Sequence, residues 1–410
     1  MSLPTSLATI LLLLTATAAT SQEIPDGDIN NDQTQNGAIS ATQALNVEQN
    51  DGLTKAITSA TGNALQVSTV DYDATLYSYQ FNKGRTTAET HITGTNTGDE
   101  DTSLGTPVYV TTDAIANYAT GVTEGAHLTA STQQQSTSDK VIATTDIQSP
   151  NNAIYISGEG DSTAEVNHTG YQVTNGRLDS TSVQQSSTEA HANTSVTLHY
   201  SPSPNAYNAT ATNNYYGSYS DDRGSQEHDV TQTQSAMTQA RAEVYAGNVW
   251  DTSANATAVG NDTNLQNAGG SLVVTSNQTQ AGEVQSQAVL QADEYGAIYA
   301  NASGTGNSMV AGNNDVYLRI DNTQLSSGGV DVTASIVGNE GWDAYATADA
   351  TGNSAVGYAC AACQADMGVD NTQTNNSDVN ATATASVSKG RSVVSTARAT
   401  GNSATYYVSN

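Results

Sequence analysis

Apolar and polar positions alternate along much of this chain with a strict period of two. Val330, Val332, Ala334 and Ile336 fall on one side, Asp331, Thr333 and Ser335 on the other. Ala344, Ala346, Ala348, Ala350 and Gly352 then resume the pattern. One unit earlier, Ala240, Ala242, Val244 and Ala246, followed by Ala254, Ala256, Ala258 and Gly260, do the same. Such alternation predicts half-buried β-strands arranged in pairs. Gly247-Asn248 and Gly338-Asn339, with Trp250-Asp251 and Trp342-Asp343 just beyond, predict a turn between the members of each pair.

The paired runs are copies of one unit. Ala399–Ser403 reads Ala-Thr-Gly-Asn-Ser, as does Ala350–Ser354, 49 positions earlier. Looser copies stand at Gly306-Asn307, Gly260-Asn261 and Gly62-Asn63, each Gly-Asn pair matching Gly352-Asn353 and Gly401-Asn402. A glutamine in an Asn/Gln-rich setting keeps step at Gln35, Gln234, Gln280, Gln324 and Gln373. It precedes its Gly-Asn by 26 residues in two copies, 28 in the last two and 27 in the first. Weaker equivalents in the middle are Gln80 before Gly105–Val110, Gln134 before Gly158–Ser162 and Gln185 before Ala211–Tyr215. Eight units of about 44–54 residues result, a period that belongs to solenoids and related arrays. The expected fold is all-β: one elongated β-solenoid or β-helix over residues 22–410.

The inward residues are mostly alanine and glycine, so the opposing sheets must lie close together. No single rung of alanines buries enough apolar area to fold alone at about 25 cal/mol per Å². The ladder between rungs must carry the stability, and the Gln and Asn anchors suit it: an amide both donates to and accepts from its own copy one rung away.

Composition changes this picture in two respects. Only 12% of residues are charged, with one Phe and two Trp, which invites a disordered reading that the period-2 pattern opposes. Lys plus Arg number 11 against 40 acidic residues, a net charge of −29. Nucleic acid and anionic lipid are thereby disfavoured as partners, whereas cations, basic proteins and cationic polysaccharide are favoured. The apolar run at residues 8–19 followed by small residues predicts a signal peptide at 1–21, although no Lys or Arg precedes it. It is short for a membrane span, so no integral span is expected in the mature chain.

Candidate chemistry is sparse. The two cysteines, Cys360 and Cys363, lie outside any βαβ context, and in an exported chain they predict a local structural disulfide. The six histidines show no ligand spacing, and nucleophile-elbow and phosphate-loop patterns are missing, so neither a catalytic residue nor a cofactor or metal site is expected. Gly158–Asp161, Gly260–Asp262 and Gly312–Asp315 carry oxygen donors that could hold calcium, but they read more simply as turns.

Ala399–Ala404 with the glutamine anchors resembles the Gly-Asn-x-Ala and Gln elements of curli-type amyloid subunits, with units about twice as long. The chain as a whole is more similar to the holdfast anchor protein D family of stalked alphaproteobacteria, which are exported, acidic and rich in Thr, Asn and Gln. That resemblance implies a non-enzymatic protein at the cell surface or outer membrane. Its role there would be to fasten an adhesive polysaccharide, the holdfast, alongside other surface anchor proteins and by self- or co-assembly. A secreted β-helical polysaccharide-degrading enzyme, or a phage-type or secreted fibre, are the competing readings. An enzyme should break its pattern at one charged patch, an anchor only in loops.

Overall fold

A computed structural model describes residues 27–96, 102–221, 223–315, 317–360 and 365–408. The expected signal peptide and Cys363 lie outside them. Twenty-two strands and no helix make up these residues, and every strand pairing is parallel. Eight coils, beginning at Asp28, Ala74, His127, Arg177, Ser225, Ser271, Tyr317 and Asp366, stack one on the next. The protein is a β-solenoid.

The fifth coil shows the plan. A base leg, Ser225–Gln234, runs to a short turn, and the strand Thr238–Asn267 then supplies the rest. Its first part (238–246) alternates inward Ala240, Ala242 and Val244, bends at 247–250, and returns through Ala254, Ala256 and Ala258. At Gly260-Asn261 two consecutive residues point inward, which resets the phase for the final part, inward at Thr263 and Leu265. The bend expected at Gly247-Asn248 is therefore no loop: the ladder to the next coil runs through it, Asn248 opposite Glu294 and Asp251 opposite Ala297. Likewise Gly158–Asp161 and Gly260–Asp262, read as turns in the sequence, are strand.

Two apolar clusters fill the coil. One lies between the 238–246 and 252–258 segments and their copies, the other between the base leg and the last segment, with Leu265, Leu272, Val274 and Leu318. Small residues let the first pair of sheets approach until the Ser286 hydroxyl reaches across to the Ala256 carbonyl at 2.8 Å. The middle coils depart from the small-residue expectation: Tyr207 and Tyr216 are fully buried. Tyr207 fits because its neighbours one coil back, Gly158 and Gly160, have no side chain; a Cβ on Gly158 would lie 2.5 Å from the Tyr207 hydroxyl.

The slab is broad across the coil and short along its axis. Eight rungs at the ~4.8 Å ladder spacing stack to about 38 Å. The opposing layer, 252–267, spans roughly 50 Å at ~3.3 Å per residue, which sets the width of the coil. Among the described residues, each end of the stack presents a wide parallel edge with no further strand paired to it.

Candidate functional site

Between the two apolar clusters runs a polar spine made of two amide columns. Asn63, Asn117, Asn167, Asn214, Asn261, Asn307, Asn353 and Asn402 stand in register, and each Nδ2 donates to the Oδ1 of the next at 2.7–2.8 Å. The second Nδ2 hydrogen of Asn261 goes to the Thr279 carbonyl, and that of Asn307 to the Leu325 carbonyl, joining the return leg to the base leg of the next coil. The glutamine column, Gln33, Gln80, Gln134, Gln184, Gln232, Gln278, Gln324 and Gln373, runs with the opposite polarity. Each Nε2 donates to the Oε1 of the preceding glutamine at 2.7–2.9 Å. Asn and Gln are the residues that can do this, since both donor and acceptor must be satisfied in a site where Asn261, Asn307 and Gln232 are wholly buried.

The structure sorts the repeat anchors into different columns. Gly62, Gly260, Gly306, Gly352 and Gly401 share one corner and their asparagines share the ladder. A Cβ on Gly260 would sit 2.5 Å from the Gly306 carbonyl oxygen, and the same contact recurs at Gly306 and Gly352. Gln324 and Gln373 belong to the glutamine ladder, but Gln35, Gln234 and Gln280 stand two residues beyond it, opposite Asn82, Ser186 and Ser326. With Gln232 and Gln278 as the true equivalents, the 26-residue spacing becomes 28 in all of the last four coils. In the middle coils the corner is Ala116-Asn117, Val166-Asn167 and Asn213-Asn214, not Gly105, Gly158 or Ala211. Cys360 closes a described stretch and its expected partner Cys363 lies outside the described residues, as does the loop between them.

The outward columns carry the exposed chemistry. On the last segment of coils 2 to 4, Tyr118, His168 and Tyr215 stack with ring centroids 4.8 Å apart at each step. Tyr299 and Tyr345 stack at 5.2 Å with planes 9° apart on the return leg. At the bend, Trp250 and Trp342 meet edge to face at 4.9 Å, both about half exposed, with Gly296 in the coil between them and Arg391 5.5 Å over Trp342. In the Tyr299 column the small residues Ala206 and Ser253 separate Glu159 from Tyr299. They leave an open groove of about 450 Å³, lined also by Pro204 and Asp251.

One acidic patch interrupts the outward regularity on coils 2 and 3. Asp113 opposes Thr163 there, beside Asp161 and Glu165. Burial first, and then the Glu165 and Asp161 charges, hold the Asp113 carboxyl above its usual range. These carboxylates are engaged: Asp161 accepts from Asn208 Nδ2 at 2.7 Å, and Glu165 lies 2.8 Å from His168 Nδ1. None of the described His, Cys, Asp and Glu residues forms a cluster of three able to hold a metal ion.

A buried Ser–His pair escaped the sequence reading. His228 Nδ1 lies 2.8 Å from Ser180 Oγ and 2.9 Å from the Tyr216 hydroxyl, while Nε2 lies 3.0 Å from Gln226 Oε1. Nε2 thus carries the proton and Nδ1 accepts. Desolvation pushes the imidazole down to about 3, and His228 is 1% exposed. A general base needs an accessible substrate and a pKa near the working pH, so this pair has the geometry of a nucleophile and base in a place where it can only hold the core together.

A family model described as holdfast attachment protein D matches residues 48–329, from the end of the first coil's second strand to the turn within the seventh coil. No curated protein and no solved structure matches the chain.

Proposed function

The chain belongs to the holdfast attachment protein D family, and from that premise we propose that it is an exported surface anchor holding an adhesive polysaccharide on the cell envelope. The family match over residues 48–329 carries this reading. The geometry supplies a mechanism for it. The amide spine locks eight coils into one rigid slab, and the slab displays Tyr299 and Tyr345 stacked on adjacent coils and the half-exposed Trp250 and Trp342 two coils apart. Aromatic faces offer apolar area with a polar rim at small entropic cost, and many weak contacts in a row give lasting attachment without a deep pocket. The net charge of −29 adds attraction for cationic groups on the glycan or on partner anchors.

The test is a deletion strain of the source organism. Adhesive should still be made but be shed into the medium, and surface fractions of the wild type should contain the protein. Adhesive that stays firmly on the deletion strain, or cleavage of a polysaccharide by the purified protein, overturns the reading.

A further inference from the structure

The two amide ladders are polar, and their unused ends lie at opposite ends of the slab. In the last coil Asn402 accepts from Asn353 at 2.7 Å, and the hydrogen that each earlier asparagine gives to its successor finds no acceptor among the described residues. In the first coil Asn63 donates to Asn117, while its Oδ1 accepts nothing among the described residues. The glutamine ladder is the mirror case. Gln373 donates to Gln324 while its Oε1 accepts nothing among the described residues, whereas Gln33 accepts from Gln80 and spends one of its two Nε2 hydrogens on the Ala64 carbonyl. A third column agrees: Asn371 accepts from Asn322 and Asn31 donates to Ser78, so an open donor again stands at the far end and an open acceptor at the near end.

The geometry points to head-to-tail stacking of this chain on a second copy of itself, the last coil of one molecule pairing as a parallel ladder with the first coil of the next. Continuing the register sets Gln373 on Gln33, Asn371 on Asn31 and Asn402 on Asn63 of the following copy, with donor meeting acceptor in each column. Stacking first coil on first coil, or last on last, would reverse the strand direction across the joint, so these columns would not meet their own continuation.

Charge agrees with this choice. The first coil (27–73) holds six carboxylates against Lys55, while the last (366–408) balances three carboxylates with Lys389, Arg391 and Arg398. A last coil without net charge can meet the acidic first coil; two first coils would repel. The joint is large enough: a coil edge roughly 50 Å long and two layers ~10 Å apart buries on the order of 1,000 Å² in total, the size expected of a specific interface. Such a contact is heterologous and does not close, so it makes fibres. It rests on the surface-anchor reading for its purpose, since a fibre multiplies the outward aromatic columns available to the adhesive.

The experiment is sedimentation velocity and electron microscopy on the purified chain over a hundredfold concentration range. Fibres whose mass grows with concentration are expected. Asn371→Asp with Asn402→Asp keeps the acceptor each residue offers to the seventh coil and turns the outgoing donors into carboxylates that face the acidic first coil, at the cost of one long 3.5 Å contact from Asn402 to the Gln373 carbonyl. It should leave the circular dichroism spectrum unchanged and weaken association at least tenfold. In a second test, Val394→Cys and Lys55→Cys are combined; these positions become register neighbours across the joint, within disulfide reach. Oxidation should give a ladder of dimers, trimers and longer species, with the unmodified chain run alongside to account for Cys360 and Cys363. A chain that stays monomeric throughout, stops at dimers, or cross-links through Val394→Cys alone overturns head-to-tail stacking. A monomer that still anchors adhesive in cells removes this inference and leaves the functional reading; a fibre whose deletion sheds no adhesive does the reverse.

Discussion

Asn261 gives one Nδ2 hydrogen to Asn307 Oδ1 at 2.8 Å and the other to the Thr279 carbonyl at 3.0 Å, so one side chain ties two coils and two layers together. Replacing it by an isosteric carboxylate leaves both acceptors without a donor in a site that is wholly buried. Asn261→Asp should therefore cost roughly 3 kcal/mol or more. Asn402→Asp, at the exposed end of the same ladder, should stay within about 0.5 kcal/mol. Denaturant melts of the two variants check the contrast, and equal losses would mean that the ladder is incidental to stability.

The phase of the strands makes a second prediction. Ala346 and Ala348 are buried, while Thr347 between them faces outward. Ala346→Leu or Ala348→Leu must push apart sheets that already touch through short side chains, at a cost of about 1–3 kcal/mol. Thr347→Leu should change stability by no more than ~0.5 kcal/mol. Thermal shifts of the same size at all three positions would overturn the assigned faces.

The alternation that predicts these faces is the part of the fold most legible in the sequence, because a period of two survives any choice of register. Register itself was less legible. Gln278 and Gln280 both point inward, so either satisfies the pattern, and only the pairing of Gln278 with Gln324 decides between them. The middle coils hide their corner because Ala116, Val166 and Asn213 stand where other coils have glycine. Misplacing that corner also hid the Tyr118–His168–Tyr215 stack, whose members are neighbours only in the correct register. The His228 site could have been suspected from one signal, a histidine at an inward position of a strand whose register neighbour in the next coil is Val274.

That histidine sets a pH dependence. Its pKa is about 3 in the fold against an ordinary 6.5, so the folded chain binds fewer protons than the unfolded one between these values. Its contribution is complete above pH 6.5 and is lost as pH falls toward 3, at about 1.4 kcal/mol per unit. Asp262 works the other way: burial raises it from 3.8 to about 6, so its penalty near neutrality is relieved as pH drops through 6. Comparing wild type with His228→Gln isolates the histidine. The wild type should lose more stability than the variant between pH 7 and pH 5, and parallel losses would show that His228 is not held neutral.

The outward surface yields the last prediction. Glu159 and Asp251 line a groove that ends at Tyr299, whose ring continues onto Tyr345. Carboxylates beside an aromatic face suit a saccharide carrying positive charge, the ring stacking on its apolar face and the acids drawing its cationic groups. Tyr299→Ala with Tyr345→Ala should reduce retention on immobilised adhesive polysaccharide severalfold without a change in melting temperature beyond ~2–4 °C, because both rings lie on the outward face. Glu159→Gln with Asp251→Asn should weaken retention mainly at low salt, since exposed charges are screened beyond a Debye length of about 10 Å at 0.1 M. The two pairs of changes thus have separate signatures, one independent of salt and one abolished by it. Unchanged retention in both double variants would place the glycan contact elsewhere on the slab, with the Trp250–Trp342 bend the next surface to test.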